Sequence, residues 1–252
     1  MPLPTERPRE LRWYQAAALM FGDWGTSRLY VLGLAFALSG HASFWYVLAM
    51  CVLVTLVGLA YAVICTHYPD GGGVYSAAKQ RSRTVAVIGA LLLFADYIVT
   101  AALSAYEGFR YLLPLGAPSQ WAVYAAIVSI LAIAVISLHG VRRAGLLAVV
   151  MAGGAIVFYV LLACFCISSA GAARIEAPSG PWAERWDHFV NVILALSGVE
   201  AIANMTGVMP EPVGKNARRA IYVVLAEVVL LNIVMAYAMN AIPNLAAYAR
   251  ED

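Results

Sequence analysis

The chain has 252 residues, of which 63% are apolar and only 12% charged, with a formal net charge of +2. Soluble domains run roughly 45–50% apolar and about 25% charged. This composition excludes a disordered chain, a disulfide scaffold and an ordinary soluble enzyme, and the near-neutral balance gives no footprint for nucleic acid.

A hydrocarbon core about 30 Å thick needs roughly 20 apolar residues of helix. Seven stretches qualify, at 13–39, 45–67, 84–113, 120–139, 145–170, 187–209 and 217–243, so an all-α polytopic membrane protein with a single transmembrane domain is expected. The first segment carries Arg7, Arg9 and Arg12 but has no small-residue cleavage site after its apolar run. It reads as a retained span and not as a signal peptide.

Span 1 contains Phe21-Gly22-Asp23-Trp24-Gly25-Thr26-Ser27-Arg28-Leu29-Tyr30. Glycines and hydroxyls loosen a helix and offer polar groups to a ligand. Close packing through small residues would explain the glycines, but not Asp23 and Arg28 within the same span. Span 2 is followed by Tyr68-Pro69-Asp70-Gly71-Gly72-Gly73-Val74-Tyr75, a glycine run that by itself is only a turn and lacks the Lys and Ser/Thr of a phosphate loop.

Span 3 places Asp96, Thr100, Ser104 and Glu107 on one helical face. Such a stripe must meet a partner helix or an aqueous path. Spans 4 and 5 carry no acid, and Cys164 and Cys166 have no partners at metal-ligand spacing. Cys51, Cys65, Cys164 and Cys166 all read as small packing residues.

Span 6 repeats the pattern of span 1, with Ser197-Gly198-Val199-Glu200 followed by Asn204, Thr206 and Gly207. Two interrupted helices five spans apart are what an inverted repeat of five helices would give, with the binding site between them. The linker Met209-Pro210-Glu211-Pro212 stops span 6, and Lys215-Asn216-Ala217-Arg218-Arg219 restarts the chain. In span 7 Glu227 stands alone and reads as structural.

Orientation follows from Lys and Arg. Eleven lie on the N-terminal side (Arg7, Arg9, Arg12, Lys79, Arg81, Arg83, Arg142, Arg143, Lys215, Arg218, Arg219) and four on the other (Arg110, Arg174, Arg185, Arg250). The positive-inside rule puts the N-terminus in the cytoplasm.

Gly22-Asp23-Trp24-Gly25-Thr26-Ser27-Arg28-Leu29-Tyr30 resembles the first-helix motif of KUP-type potassium uptake proteins, with Arg28 in place of their Pro. Ser104-Ala105-Tyr106-Glu107-Gly108 is similar to their third helix. Pro69-Asp70-Gly71-Gly72-Gly73-Val74-Tyr75 resembles a loop of amino acid permeases. Ser197-Gly198-Val199-Glu200-Ala201-Ile202-Ala203-Asn204, with Glu211-Pro212 and Lys215-Asn216-Ala217-Arg218, is similar to KimA-like potassium importers. All belong to the amino acid–polyamine–organocation (APC) superfamily.

The resemblance implies a LeuT-like fold worked by alternating access. Here the first five-helix repeat would be followed by helices 6 and 7 of an incomplete second repeat, so the chain is expected to be truncated. It implies a substrate or ion site at Asp23, Gly25, Thr26, Tyr30, Thr100, Ser104, Ser197 and Glu200. Proton coupling or ion pairing would fall to Asp23, Arg28, Glu107 and Glu200. Arg28 would either neutralise Asp23 or Glu107, or hold a substrate carboxylate.

The expected function is proton-coupled potassium uptake across the inner membrane. The alternatives are an amino acid or amine permease, or a non-transporting accessory protein, sensor or inactive fragment. No enzymatic activity, resident metal or other cofactor is expected. The expected partners are the lipid bilayer, a small cation or amino acid as substrate, and missing C-terminal helices or a partner chain, with no nucleic acid.

Overall fold

The computed structural model describes residues 9–113, 118–167, 171, 173–193, 198–242 and 245. Among these the regular structure is helical. The helices are α1 (Trp13–Trp24), α2 (Arg28–Ser39), α3 (Ser43–His67), α4 (Gly73–Arg81) and α5 (Arg83–Leu112). They continue with α6 (Ser119–Leu138), α7 (Val141–Ile167), α8 (Trp182–Val192), α9 (Ala201–Met205) and α10 (Val213–Met239).

Five helical stretches are long and apolar enough to cross a membrane: 13–67, 83–112, 119–138, 141–166 and 213–239. The first covers 55 residues, far more than one crossing needs. It is interrupted twice, at Gly25–Ser27 and at the short turn Gly40–Ala42, where Gly40 takes a positive φ of 54°. The segment 187–209 holds no helix of spanning length among the described residues, because α8 ends at Val192 and α9 begins at Ala201. Residues 194–197 of that segment, Ser197 among them, lie outside the described residues.

The core is built by α1, α3 and α10. Along one face of α10, Ala217, Ile221, Val224, Val228, Leu231 and Met235 are buried, and α3 answers with Val47, Met50, Val54 and Ala62. This apolar stripe at helical spacing is why α10 packs along the length of α3 and against α1. Helices α5, α6 and α7 instead expose their apolar side chains, Leu91, Leu131 and Val150 for example. That is the surface a bilayer solvates and water does not.

The start of α1 is tied down before it enters the bundle. Arg12 N–H donates to Gln15 Oε1 (3.0 Å), and Gln15 Nε2 donates to the Arg142 carbonyl (3.2 Å), which joins α1 to the start of α7. Leu11 N–H donates to the Val208 carbonyl (3.0 Å), so the N-terminal segment also reaches the end of the α9 region.

Candidate functional site

The break between α1 and α2 follows from its sequence. Gly25 N–H still bonds back to the Phe21 carbonyl (2.8 Å), and regular bonding resumes at Leu29 N–H to the Thr26 carbonyl (3.0 Å). Between them the hydroxyls work within the turn. Thr26 Oγ1 donates to the Gly22 carbonyl (2.7 Å) and Ser27 Oγ to the Asp23 carbonyl (2.8 Å). These bonds satisfy carbonyls that an interrupted helix leaves open, the condition for irregular backbone at membrane depth.

The break before α9 lies directly against it. Gly198 adopts φ +113°, a conformation open to glycine and rarely to other residues. A Cβ built there would sit 2.7 Å from Trp24 N and 2.9 Å from the Asp23 carboxyl carbon. Only a residue without a side chain lets the two backbones approach so closely. Gly198 N–H donates to both carboxylate oxygens of Glu200, at 3.1 and 3.2 Å. The glycine thus brings Asp23 and Glu200 to one place from residues 177 positions apart.

Beside this junction lies an open cavity of about 730 Å3 between α2, α3, α5 and α8. Its polar described lining is Tyr61, Asp96, Asn191 and Glu200, set in a wall of Leu and Val side chains. Asp23, Asp96 and Glu200 lie within electrostatic reach of one another. Asp23 Oδ1 is buried and has no hydrogen-bond partner among the described residues. On the neighbouring face, Asn204 Nδ2 donates to the Tyr97 hydroxyl (3.0 Å), pinning α9 to α5.

Arg28 points elsewhere. Its side chain is buried, with Nε donating to the Gly25 carbonyl (2.6 Å) and Nη2 to Glu227 Oε2 of α10 (2.8 Å). Its guanidinium carbon stands 4.7 Å from the centre of the Tyr159 ring of α7. The cation therefore meets Glu227 and Tyr159, and its ion pair is with neither Asp23 nor Glu107. A buried guanidinium needs such a set: a carboxylate, a carbonyl and an aromatic face.

The remaining expected site residues divide. Gly25 and Thr26 sit at the break, and Tyr30 follows it, half-buried, on α2. On α5, Thr100 and Glu107 are half-buried and Ser104 is exposed, and none of the three is among the described lining residues of the cavity. Two lining or neighbouring groups, Tyr61 and Tyr97, carried no signal of their own. A tyrosine in an apolar span is commonplace, and only the proximity of Glu200 and Asn204 gives these two a role.

Comparison with known proteins agrees with this architecture. The family model described as amino acid permease matches residues 11–248. The chain is 26% identical over 256 residues to the potassium transporter KimA of Bacillus subtilis (strain 168). That match covers 94% of this chain and 42% of the relative, so the chain spans about two fifths of that protein's length.

Proposed function

The chain belongs to the amino acid permease family, and we propose that it works in secondary active transport of a small cation, with potassium as substrate and protons as coupling ions. The observation that carries this reading is the junction of the two breaks. There Asp23 and Glu200 converge while the nearby guanidinium of Arg28 is held by Glu227. A site with carboxylates and hydroxyls, and with no basic side chain among its described lining, has the charge and the hard oxygen donors that suit an alkali cation. The relative's name, a potassium transporter, points the same way.

In this reading the fold is LeuT-like, and the core of α1, α3 and α10 moves against α5 and α6 to expose the junction to either side in turn. The N-terminus faces the cytoplasm and the bilayer is the inner membrane. Asp23 and Glu200 exchange protons and cation, and Gly25, Thr26, Tyr30 and Ser197 add neutral oxygens. Thr100, Ser104 and Glu107 would join them when α5 shifts toward the break.

A second reading, uptake of an amino acid or amine, has one observation in its favour. The cavity is far larger than a bare ion requires, and its walls are mostly apolar, as a side chain would want. Uptake of labelled rubidium and of labelled amino acids into proteoliposomes separates the two. Rubidium flux lost in both Asp23→Asn and Glu200→Gln supports the cation reading. Amino acid flux without rubidium flux replaces it with the second. Absence of both fluxes, with no substrate-dependent thermal shift, favours a non-transporting role.

A further inference from the structure

A second cavity, of about 340 Å3, lies at the end of the bundle away from the N-terminal segment, between α3 and α8. Its walls are Trp45, Tyr46, Trp182, Arg185, Trp186 and Phe189. Trp182 and Trp186 stack one turn apart, with ring centres at 6.2 Å, and both are more than half exposed. Arg185 is held against this wall, its guanidinium carbon 5.7 Å from the centre of the Trp182 ring. Its Nε is buried and makes no hydrogen bond, and among the described residues neither Glu184 nor Asp187 forms an ion pair with it. Arg185 as a whole is half-buried, so a buried Nε with no acceptor sits on a cation that solvent-side groups can still approach, a donor suited to an anion at this wall.

The level of the cavity says where that anion comes from. Here α2 and α10 end and α3 and α8 begin, and the segment leading into α8 is tied to them. Glu176 N–H donates to the His41 carbonyl (3.2 Å) and Arg174 N–H to the Asn240 carbonyl (3.0 Å). Tryptophans clustered where spans end mark the headgroup layer of a bilayer. From Trp45 an exposed apolar stripe runs down α3 through Ala49, Val52, Leu56, Leu59 and Val63, on one helical face. Its length and chemistry fit an acyl chain.

We propose that this cavity binds an anionic phospholipid, with its phosphodiester on Arg185, its headgroup between the tryptophans and one acyl chain along the α3 stripe. The site is separate from the Asp23–Glu200 junction and does not depend on the transported species.

The test uses the full chain in nanodiscs of mixed phosphatidylcholine and phosphatidylglycerol, with retained lipid counted by mass spectrometry after detergent exchange. Phosphatidylglycerol is retained over phosphatidylcholine, and Arg185→Gln weakens that preference about tenfold, the value of one charge-assisted hydrogen bond. Arg185→Lys keeps part of it, because the charge stays and the planar fork is lost. Arg110→Gln, at the end of α5, leaves it unchanged and controls for general charge loss. Equal retention of both lipids, or an Arg185→Gln chain that keeps the preference, overturns the proposal. Displacement of the lipid by millimolar glycerol phosphate overturns the lipid source in favour of a soluble phosphate. Cross-linking of a second copy of the chain through Trp45 overturns it in favour of a protein interface.

Discussion

Arg28 and Glu227, 199 residues apart, meet at 2.8 Å with Arg28 only 2% exposed. The pair joins the break in the first span to α10, the most buried long helix, and Arg28 Nε holds the Gly25 carbonyl at the same time. The break is therefore anchored to α10 through Arg28.

Removing one member of this pair leaves the other charge buried and uncompensated. Glu227→Ala is expected to destabilise the chain by about 3–5 kcal/mol, while Arg28→Met with Glu227→Met recovers most of the loss. Thermal unfolding of the single and double variants in detergent measures both. A single variant that unfolds at the parent temperature would contradict the buried pairing.

Gly198 permits the contact between the two breaks. Gly198→Ala places a Cβ against Trp24 N and Asp23 and asks alanine to hold φ +113°. The expected cost is about 1–3 kcal/mol of backbone strain, plus the separation of Asp23 from Glu200. Potassium-dependent thermal stabilisation should vanish in this variant. Gly22→Ala, where an added Cβ would meet nothing within 4 Å, should retain it.

Glu200 accepts two bonds from Gly198 N–H and sits at the cavity. Glu200→Gln keeps the shape and removes the charge. On the cation reading, growth rescue of a strain deficient in potassium uptake should fail in Glu200→Gln and in Asp23→Asn. Rescue that persists in both would remove these carboxylates from the cation site.

Arg9 bridges two loops at the N-terminal end, with Nη2 2.8 Å from Asp70 and Nη1 3.4 Å from Glu211. Both acids are well exposed, so Arg9→Gln should cost less than about 1 kcal/mol, an effect that salt removes. Its consequence should be local. Hydrogen exchange in residues 68–73 and 206–211 should quicken, while the centre of α10 keeps its protection. Uniform quickening along α10 would show that the bridge holds the whole bundle.

Some of the site was readable before any contact was known. Gly22, Gly25, Thr26 and Ser27 mark the first break, because close packing through small residues accounts for the glycines but not for Asp23 and Arg28 within the same span. Gly198 and Glu200 marked the second in the same way. Their meeting was expected from the five-span spacing, but the atom that permits it, the missing side chain of Gly198, was not. The polar stripe on α5 illustrates the limit. The spacing of Asp96, Thr100, Ser104 and Glu107 fixes a shared face, and of these only Asp96 lines the cavity.

Composition and periodicity by themselves determined that this chain lives in lipid, that it is helical, and where its helices are interrupted. These are local properties: an apolar run must satisfy its own backbone, and a glycine loosens the turn that contains it. Tertiary structure alone decided the partner of each charge. From the sequence Arg28 is expected to meet Asp23, Glu107 or a substrate carboxylate, and the packing of α10 against α1 and α3 gives it Glu227 instead. Lipid supplies no hydrophobic drive to choose between neighbouring helix faces, so close packing and the pairing of buried polar groups make the choice. Both depend on residues far apart in the chain.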